Sequence, residues 1–282
     1  MYNAAIKSIS ILCAALMPLI IASCDNRQKD EASSLYNSAM KLYDTEQYDS
    51  VLSVLDTLYK KYPAETDIIR DGIHLMAKAQ EQISIKGIAQ ADSVISENAI
   101  IVNEIAADFI VIKNPDLVEN YRIYKNLKNN TLINRTGIEP RIDDNGGIYL
   151  VSLLHGKPVK HTKLRVTATD GDYAETSSVP FDNAQNYRFN NDGISNEMVT
   201  FHADECEEFC RFIADNANKK LKIDFVGNSS YSITAPTYLK EAIAQSFRYS
   251  SAIKAGLKAE KDKLYLTKRM EIAKRQIEQT KL

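Results

Sequence analysis

The chain of 282 residues reads as an α+β protein. Three observations predict it. Apolar residues recur at helical spacing over 65–113 and again over 237–282, two long segments with few helix breakers. Between them, 117–236 is rich in β-branched and aromatic residues and punctuated by turn chemistry. Ahead of both, 34–64 carries two shorter helical patterns separated by a polar break. The expected architecture is an N-terminal helical hairpin, then a long antiparallel helix pair, coiled-coil-like, flanking an inserted antiparallel β-domain.

The N-terminus comes first in that order. Lys7 is the one basic side chain before an apolar run from Ile9 to Ala22. That run is 14 residues long, against the roughly twenty needed to span a bilayer. A brief basic start, a short apolar core and small residues before a break are the marks of a secretory signal. The break is Ile21-Ala22-Ser23-Cys24, followed at once by Asp25-Asn26-Arg27-Gln28-Lys29-Asp30-Glu31. An aliphatic residue, two small ones and a cysteine resemble the lipobox of bacterial lipoproteins. The resemblance implies that residues 1–23 are a signal peptide and that Cys24 becomes the first mature residue, lipidated by acyl chains such as palmitate. Two or more chains would anchor the protein to a membrane without a spanning helix. Residues 24–33 are then expected to be a flexible tether. Gln28 to Glu31 is similar to an acidic export tag that carries some lipoproteins to the cell surface, whereas Asp25 resembles an inner-membrane signal. The localisation expected is the bacterial cell envelope, with the outer membrane or cell surface favoured over the inner membrane.

In 34–64, Leu35, Ala39 and Leu42 share one helical face, and Val51, Leu55 and Leu58 share another before Pro63. Asp44-Thr45-Glu46-Gln47 separates them, so the two helices form a hairpin. With Tyr48, these positions resemble one tetratricopeptide repeat. Glu46 stands where that family favours Gly, and Val51 where it prefers Ala; an ordinary helical hairpin fits the same residues. Either way, one hairpin cannot bury its own apolar face and must rest on the helical segment that succeeds it.

The segment 65–113 keeps Ile69, Ile73, Met76, Ile83, Ile88, Ile105 and Phe109 near one stripe. Gly87 interrupts it, at a cost of about 1 kcal/mol relative to Ala, so a kink or break is expected there. Pro115 ends the pattern. In 237–282, Leu239, Ile243, Phe247, Ile253, Leu257, Leu264, Met270 and Ile277 make a second stripe. Two half-apolar helices need a partner in water, and each is the natural partner of the other. Charge agrees: residues 66–112 are net acidic and 251–282 net basic, and opposite charges flanking paired helices set orientation.

Within 117–236, Asp143 to Gly147, His155 to Pro158 and Thr169 to Asp172 are turns. Strands are expected at 147–155, 161–169 and 173–179, forming a meander. Others are expected at 186–189, 198–202, 220–226 and 231–235, with one embedded helix at 204–216.

Chemistry is sparse. The formal net charge is −2, which gives no general pull toward nucleic acid. Of four cysteines, Cys13 lies in the signal and Cys24 in the lipobox, so Cys206 and Cys210 cannot make a disulfide scaffold. His202, Cys206 and Cys210 are spaced four apart and could share a helix face as zinc ligands, but the cysteines also fit an apolar stripe with Phe209 and Ile213. His155 and His161 flank a loop and could pair as metal ligands or as acid and base, or simply border a turn. Asp170 and Asp172 bracket a turn glycine, and Asn190, Asp192 and Gly193 match a calcium loop only in part. No phosphate loop, nucleophile elbow or dinucleotide fingerprint occurs. No cofactor is implied. The function expected is a membrane-anchored protein that binds an envelope protein or glycan, or assists assembly. The alternatives are an envelope hydrolase or metal-binding protein using His155, His161 or the Cys206 region, and a structural spacer.

Overall fold

A computed structural model describes residues 17–113, 120–127, 132 and 134–280, with side chains described from Arg27 onward. The expected signal segment up to residue 16 and the side chain of Cys24 lie outside these described residues. Five α-helices are present among them: α1 (Met17–Asp44), α2 (Tyr48–Lys61), α3 (Thr66–Ala106), α4 (Ala203–Asp215) and α5 (Thr237–Gln279). Ten strands lie between α3 and α5, in two antiparallel sheets, so the class is α+β. No described helix is long and apolar enough to cross a membrane. The chain divides into two compact units, Met1–Asp92 with Glu260–Leu282, and Ser93–Ala259.

In the first unit, α1 and α2 form a hairpin whose buried face is Ala32, Ala39, Val51, Leu55 and Leu58, closed by Leu75 and Ala79 of α3. Full burial of Leu55 and Leu58 contributes roughly 2 kcal/mol each. The turn places Glu46 at φ +58°, the left-handed region that glycine adopts without penalty. The expected tether is corrected here. Residues 27–33 belong to α1, Ala32 is fully buried, and Glu31 accepts a hydrogen bond from the Tyr62 hydroxyl at 2.7 Å. The physical reason is a stripe that starts earlier than its polar surroundings suggest: Ala32, Leu35 and Ala39 are three and then four apart on one helical face.

The expected break at Gly87 does not occur, since α3 runs through it. Its missing side chain instead admits a neighbour: a Cβ at Gly87 would lie 2.7 Å from Leu266 Cδ1 of α5. In the same unit His74 Nδ1 lies 2.7 Å from Thr280 Oγ1, and Lys263 pairs with Asp92 at 2.6 Å. Residue numbers fall along α5 as they rise along α3, so the contacting segments run antiparallel. The Lys263–Asp92 pair has the sign expected from the charge pattern, but it is half-exposed and contributes at most about 1 kcal/mol.

In the second unit α3 and α5 meet again. Arg248 approaches Glu104 at 3.7 Å, and Ile105 and Tyr249 are buried together with Ile142. The six-stranded sheet has the order β1 (Phe109–Ile112), β2 (Tyr121–Tyr124), β3 (Gly137–Ile142), β4 (Ile148–His155), β8 (Ile194–Phe201), β7 (Asn186–Asn191). The four-stranded sheet has the order β10 (Ser230–Thr234), β9 (Leu221–Val226), β5 (Lys163–Ala168), β6 (Tyr173–Glu175). One core joins Leu150, Leu154, Val199 and Phe201 of the first sheet to Leu164, Val166, Ile223 and Phe225 of the second. Phe209 and Ile213 of α4 and Leu239 and Ile243 of α5 complete it.

Two expectations change. Phe109 to Ile112, read as the end of a helix, is β1, so the sheet starts before residue 117. Ile110, Val111 and Ile112 are β-branched and pair with β2, which outweighs a helical period already ending at Ala106. Phe109 still turns inward and stacks on Tyr249 at 4.7 Å. The expected meander is also broken. β4 and β5 lie in different sheets, and the loop 156–162 is a crossover rather than a hairpin turn. A true two-residue hairpin turn joins β7 to β8, with Asp192 and Gly193 both at positive φ. The turn between β3 and β4 places Gly146 at φ +80°, where a Cβ would meet Ile253 of α5 at 2.5 Å.

Candidate functional site

Strand periodicity divides the residues of the six-stranded sheet between two faces. On β4, Leu150, Ser152 and Leu154 point to the core, while Val151 and Leu153 point outward. On β8, Glu197, Val199 and Phe201 point inward, while Asn196 and Met198 point outward. Polar chemistry gathers on both faces, in different ways.

The outer face holds a cleft of about 530 Å³. All six strands contribute: Ile112 from β1, Tyr121 and Ile123 from β2, Glu139 and Arg141 from β3, Leu153 from β4, Asn196 and Met198 from β8, and Phe189 and Asn191 from β7. Leu132 and Asn134, ahead of β3, form one wall. Asn191 donates from Nδ2 to Asn134 Oδ1 at 3.3 Å and closes one end. Arg141 donates from Nε to Glu139 Oε1 at 2.6 Å, and its guanidinium lies 4.3 Å from the Tyr121 ring centroid. Glu139 is almost fully buried, so the carboxylate depends on this guanidinium for its charge balance. Phe189 remains over a third exposed at the rim. A mostly apolar concavity with a few fixed polar groups is the general form of a small-ligand site.

The inner face holds a closed polar cluster. His161, in the crossover loop, places Nε2 2.9 Å from Ser152 Oγ and Nδ1 2.9 Å from Glu197 Oε2. Glu197 also accepts the backbone N–H groups of Lys160 and His161. Burial pushes the Glu197 carboxyl up, but the hydrogen bonds from the His161 ring and from the two backbone donors outweigh it and hold the group below its usual value of 4.5. An ionised Glu197 requires Nδ1–H on the ring, which leaves Nε2 to accept the Ser152 hydroxyl. The Ser152 hydroxyl also donates to the Val199 carbonyl oxygen at 3.2 Å, within the same sheet. The spacing matches a serine–histidine–carboxylate arrangement of nucleophilic catalysis. Access does not: the side chains of His161 and Glu197 are 0% and 2% exposed, and Ser152 is 0% exposed. The Phe225 ring lies edge-on to His161 at 5.4 Å. As the molecule stands, the cluster ties the crossover loop to the sheet. The four-stranded sheet grips the loop from its other side, where Gly227 runs so close that a Cβ would meet the Lys160 carbonyl oxygen at 2.2 Å.

The structure separates the residues expected to act together. His155 ends β4 and bonds through Nδ1 to Asn196 Oδ1 at 2.7 Å, while His161 points into the core; the two rings share no partner. His202 precedes α4, exposed, with its backbone N–H donating to Glu205 at 2.7 Å. Cys206 and Cys210 are free thiols in the core. Burial, then the neighbouring Cys206, pushes the Cys210 thiol well up, which suits an inert apolar residue. Among the described residues no group of three or more His, Cys, Asp or Glu is placed to hold a metal ion. Asp170 pairs with Lys219 at 2.6 Å.

Sequence reasoning misses Ser152, Glu197 and the whole cleft. Two signals point to the first two. Ser152 interrupts the inward series Ile148, Leu150, Leu154, and Glu197 stands in phase with Val199 and Phe201. A polar residue on the buried phase of a strand demands a partner. The cleft has no such signal, because its residues come from six strands. No protein-family model matches this chain, and neither a curated protein nor a solved structure matches it.

Proposed function

We propose that this chain is a lipid-anchored binding protein of the bacterial envelope, and that the cleft on the outer face of the six-stranded sheet is its ligand site. The observation that carries the reading is the cleft itself: about 530 Å³, lined by all six strands, with a buried carboxylate and its partly exposed guanidinium partner in the wall. Rigid strands hold such a site open before the ligand arrives, which lowers the cost of binding. The lipobox resemblance supplies the anchor at Cys24, and cleavage before it would leave α1 starting at that residue. The contacts between α3 and α5 support a coiled-coil-like antiparallel pair flanking the β-domain. The hairpin of α1 and α2 keeps its resemblance to a single tetratricopeptide repeat.

A diazirine amino acid at position 189, in the cleft, and at position 173, on the four-stranded sheet, tests this in intact cells. Irradiation should trap a ligand from 189 and none from 173. Equal trapping from both positions, or from neither, contradicts the reading. Labelled palmitate should enter the protein and be lost in Cys24→Ser; retained label overturns the anchor.

A second reading, an envelope hydrolase, has one observation in its favour: the spacing of Ser152, His161 and Glu197. It requires the sandwich core to open to substrate. A serine-directed fluorophosphonate should leave Ser152 unlabelled, and labelling there would establish the hydrolase instead.

A further inference from the structure

We propose that the outer cleft takes a neutral carbohydrate, an inference that rests on the binding reading above. The polar groups select the class. Arg141 commits Nε to Glu139, yet a guanidinium has five N–H donors, so donors remain. Asn134 has its carbonyl oxygen bonded to Asn191, which leaves the Asn134 amide donors and the Asn191 carbonyl. The cleft thus offers donors and acceptors side by side. A hydroxyl group both donates and accepts, and a ring carrying several of them meets both needs.

Other chemistries fit less well. A carboxylate ligand only accepts, and would face Glu139. An ammonium only donates, and would face Arg141. Glu139 and Arg141 already offset each other at 2.6 Å, so a ligand charge of either sign meets its like beside its opposite and gains little net attraction. A purely apolar ligand would strip water from the free amide and guanidinium groups and return nothing, at about 1–3 kcal/mol for each group left unmade. A peptide strand binds by main-chain pairing at a sheet edge, whereas this cleft lies across the face, where the strands pair with one another. Meanwhile Tyr121, Leu153, Phe189 and Met198 supply apolar surface for the C–H face of a sugar ring.

Two measurements test the proposal. The first is the chemistry of the adduct trapped from position 189 in cells. A carbohydrate adduct survives protease and is removed by glycosidase or mild acid. A protease-sensitive adduct overturns the carbohydrate while leaving the binding reading in place; absence of any adduct overturns both. The second is the full chain, solubilised from membranes, on an array of neutral and acidic glycans. Binding should be confined to neutral structures. It should fall at least tenfold in Phe189→Ala and in Asn134→Gly, the latter chosen because Asn134 sits at φ +55°, which glycine tolerates. Tyr173→Ala should bind as the parent does. Binding to acidic glycans only, to none, or equally in all variants overturns the proposal. Each variant must keep the parent's thermal midpoint within a few degrees; if Asn134→Gly fails that, Phe189→Ala, which trims a rim side chain, decides.

Discussion

The inner and outer faces of the six-stranded sheet are made by alternate residues of the same strands, and both carry polar groups in an otherwise apolar setting. Inside, Ser152, His161 and Glu197 are sealed from solvent, and each finds its partner within the cluster. Outside, Glu139 and Arg141 pair in the wall of an open cleft and keep bonding capacity to spare. A closed network holds a fold together, whereas an open one has something left to offer a ligand. The histidine with the most catalytic-looking partners is therefore assigned to architecture. The strand with a plain Glu-x-Arg pair is assigned to recognition.

The comparison can be broken most severely at Glu197. Glu197→Ala removes the acceptor of two backbone N–H groups and the His161 ring, and should cost about 3 kcal/mol or more in unfolding free energy by denaturant titration. A loss below about 1 kcal/mol would mean that the crossover loop does not depend on the cluster.

The pH dependence sharpens the same point. The Glu197 carboxyl is held below its unfolded value, so its stabilisation is fully present above the ordinary carboxylate range. It is lost as pH falls through the lowered native value. In Glu197→Gln that part of the acid limb should vanish from a plot of stability against pH. An unchanged limb would place the acid sensitivity elsewhere.

A smaller effect is expected at Ser152. Ser152→Ala removes two buried hydrogen bonds, to the His161 ring and to the Val199 carbonyl, and should cost about 1–2 kcal/mol in the same titration, while ligand capture from the cleft stays intact. The smallest concerns the hairpin, remote in sequence from both faces. Glu46 holds φ +58° and pairs with Lys86 at 2.7 Å while more than half-exposed. Glu46→Gly relieves a left-handed strain of about 1 kcal/mol and gives up a surface pair of lesser worth, so the thermal midpoint should rise slightly. A fall would show that the ion pair outweighs the backbone.

The same physical terms decide how much of the molecule is legible in the sequence. The long helices are readable because Leu239, Ile243, Leu257 and Leu264 repeat a local period, as Val51, Leu55 and Leu58 do in the hairpin. The strands 221–226 and 230–234 are readable for the same reason with period two. Sheet partnership is not local. Nothing in Gly156 to Thr162 reveals that the chain crosses to another sheet, because the causes lie at Glu197 and Gly227. β1 hides inside an apolar run compatible with either period. Residues 27–33 look solvated because one buried Ala32 is easily lost among charges. The cleft is the least legible of all, since Tyr121, Glu139 and Phe189 meet only once the sheet exists.

The most direct measurement is ligand capture from position 189 in cells carrying the parent, Ser152→Ala and Asn134→Gly, with the trapped adduct quantified per molecule of protein. The account predicts parental capture in Ser152→Ala and a loss of at least tenfold in Asn134→Gly. Loss of capture in Ser152→Ala, with full capture in Asn134→Gly, would contradict it and move the working surface to the inner face.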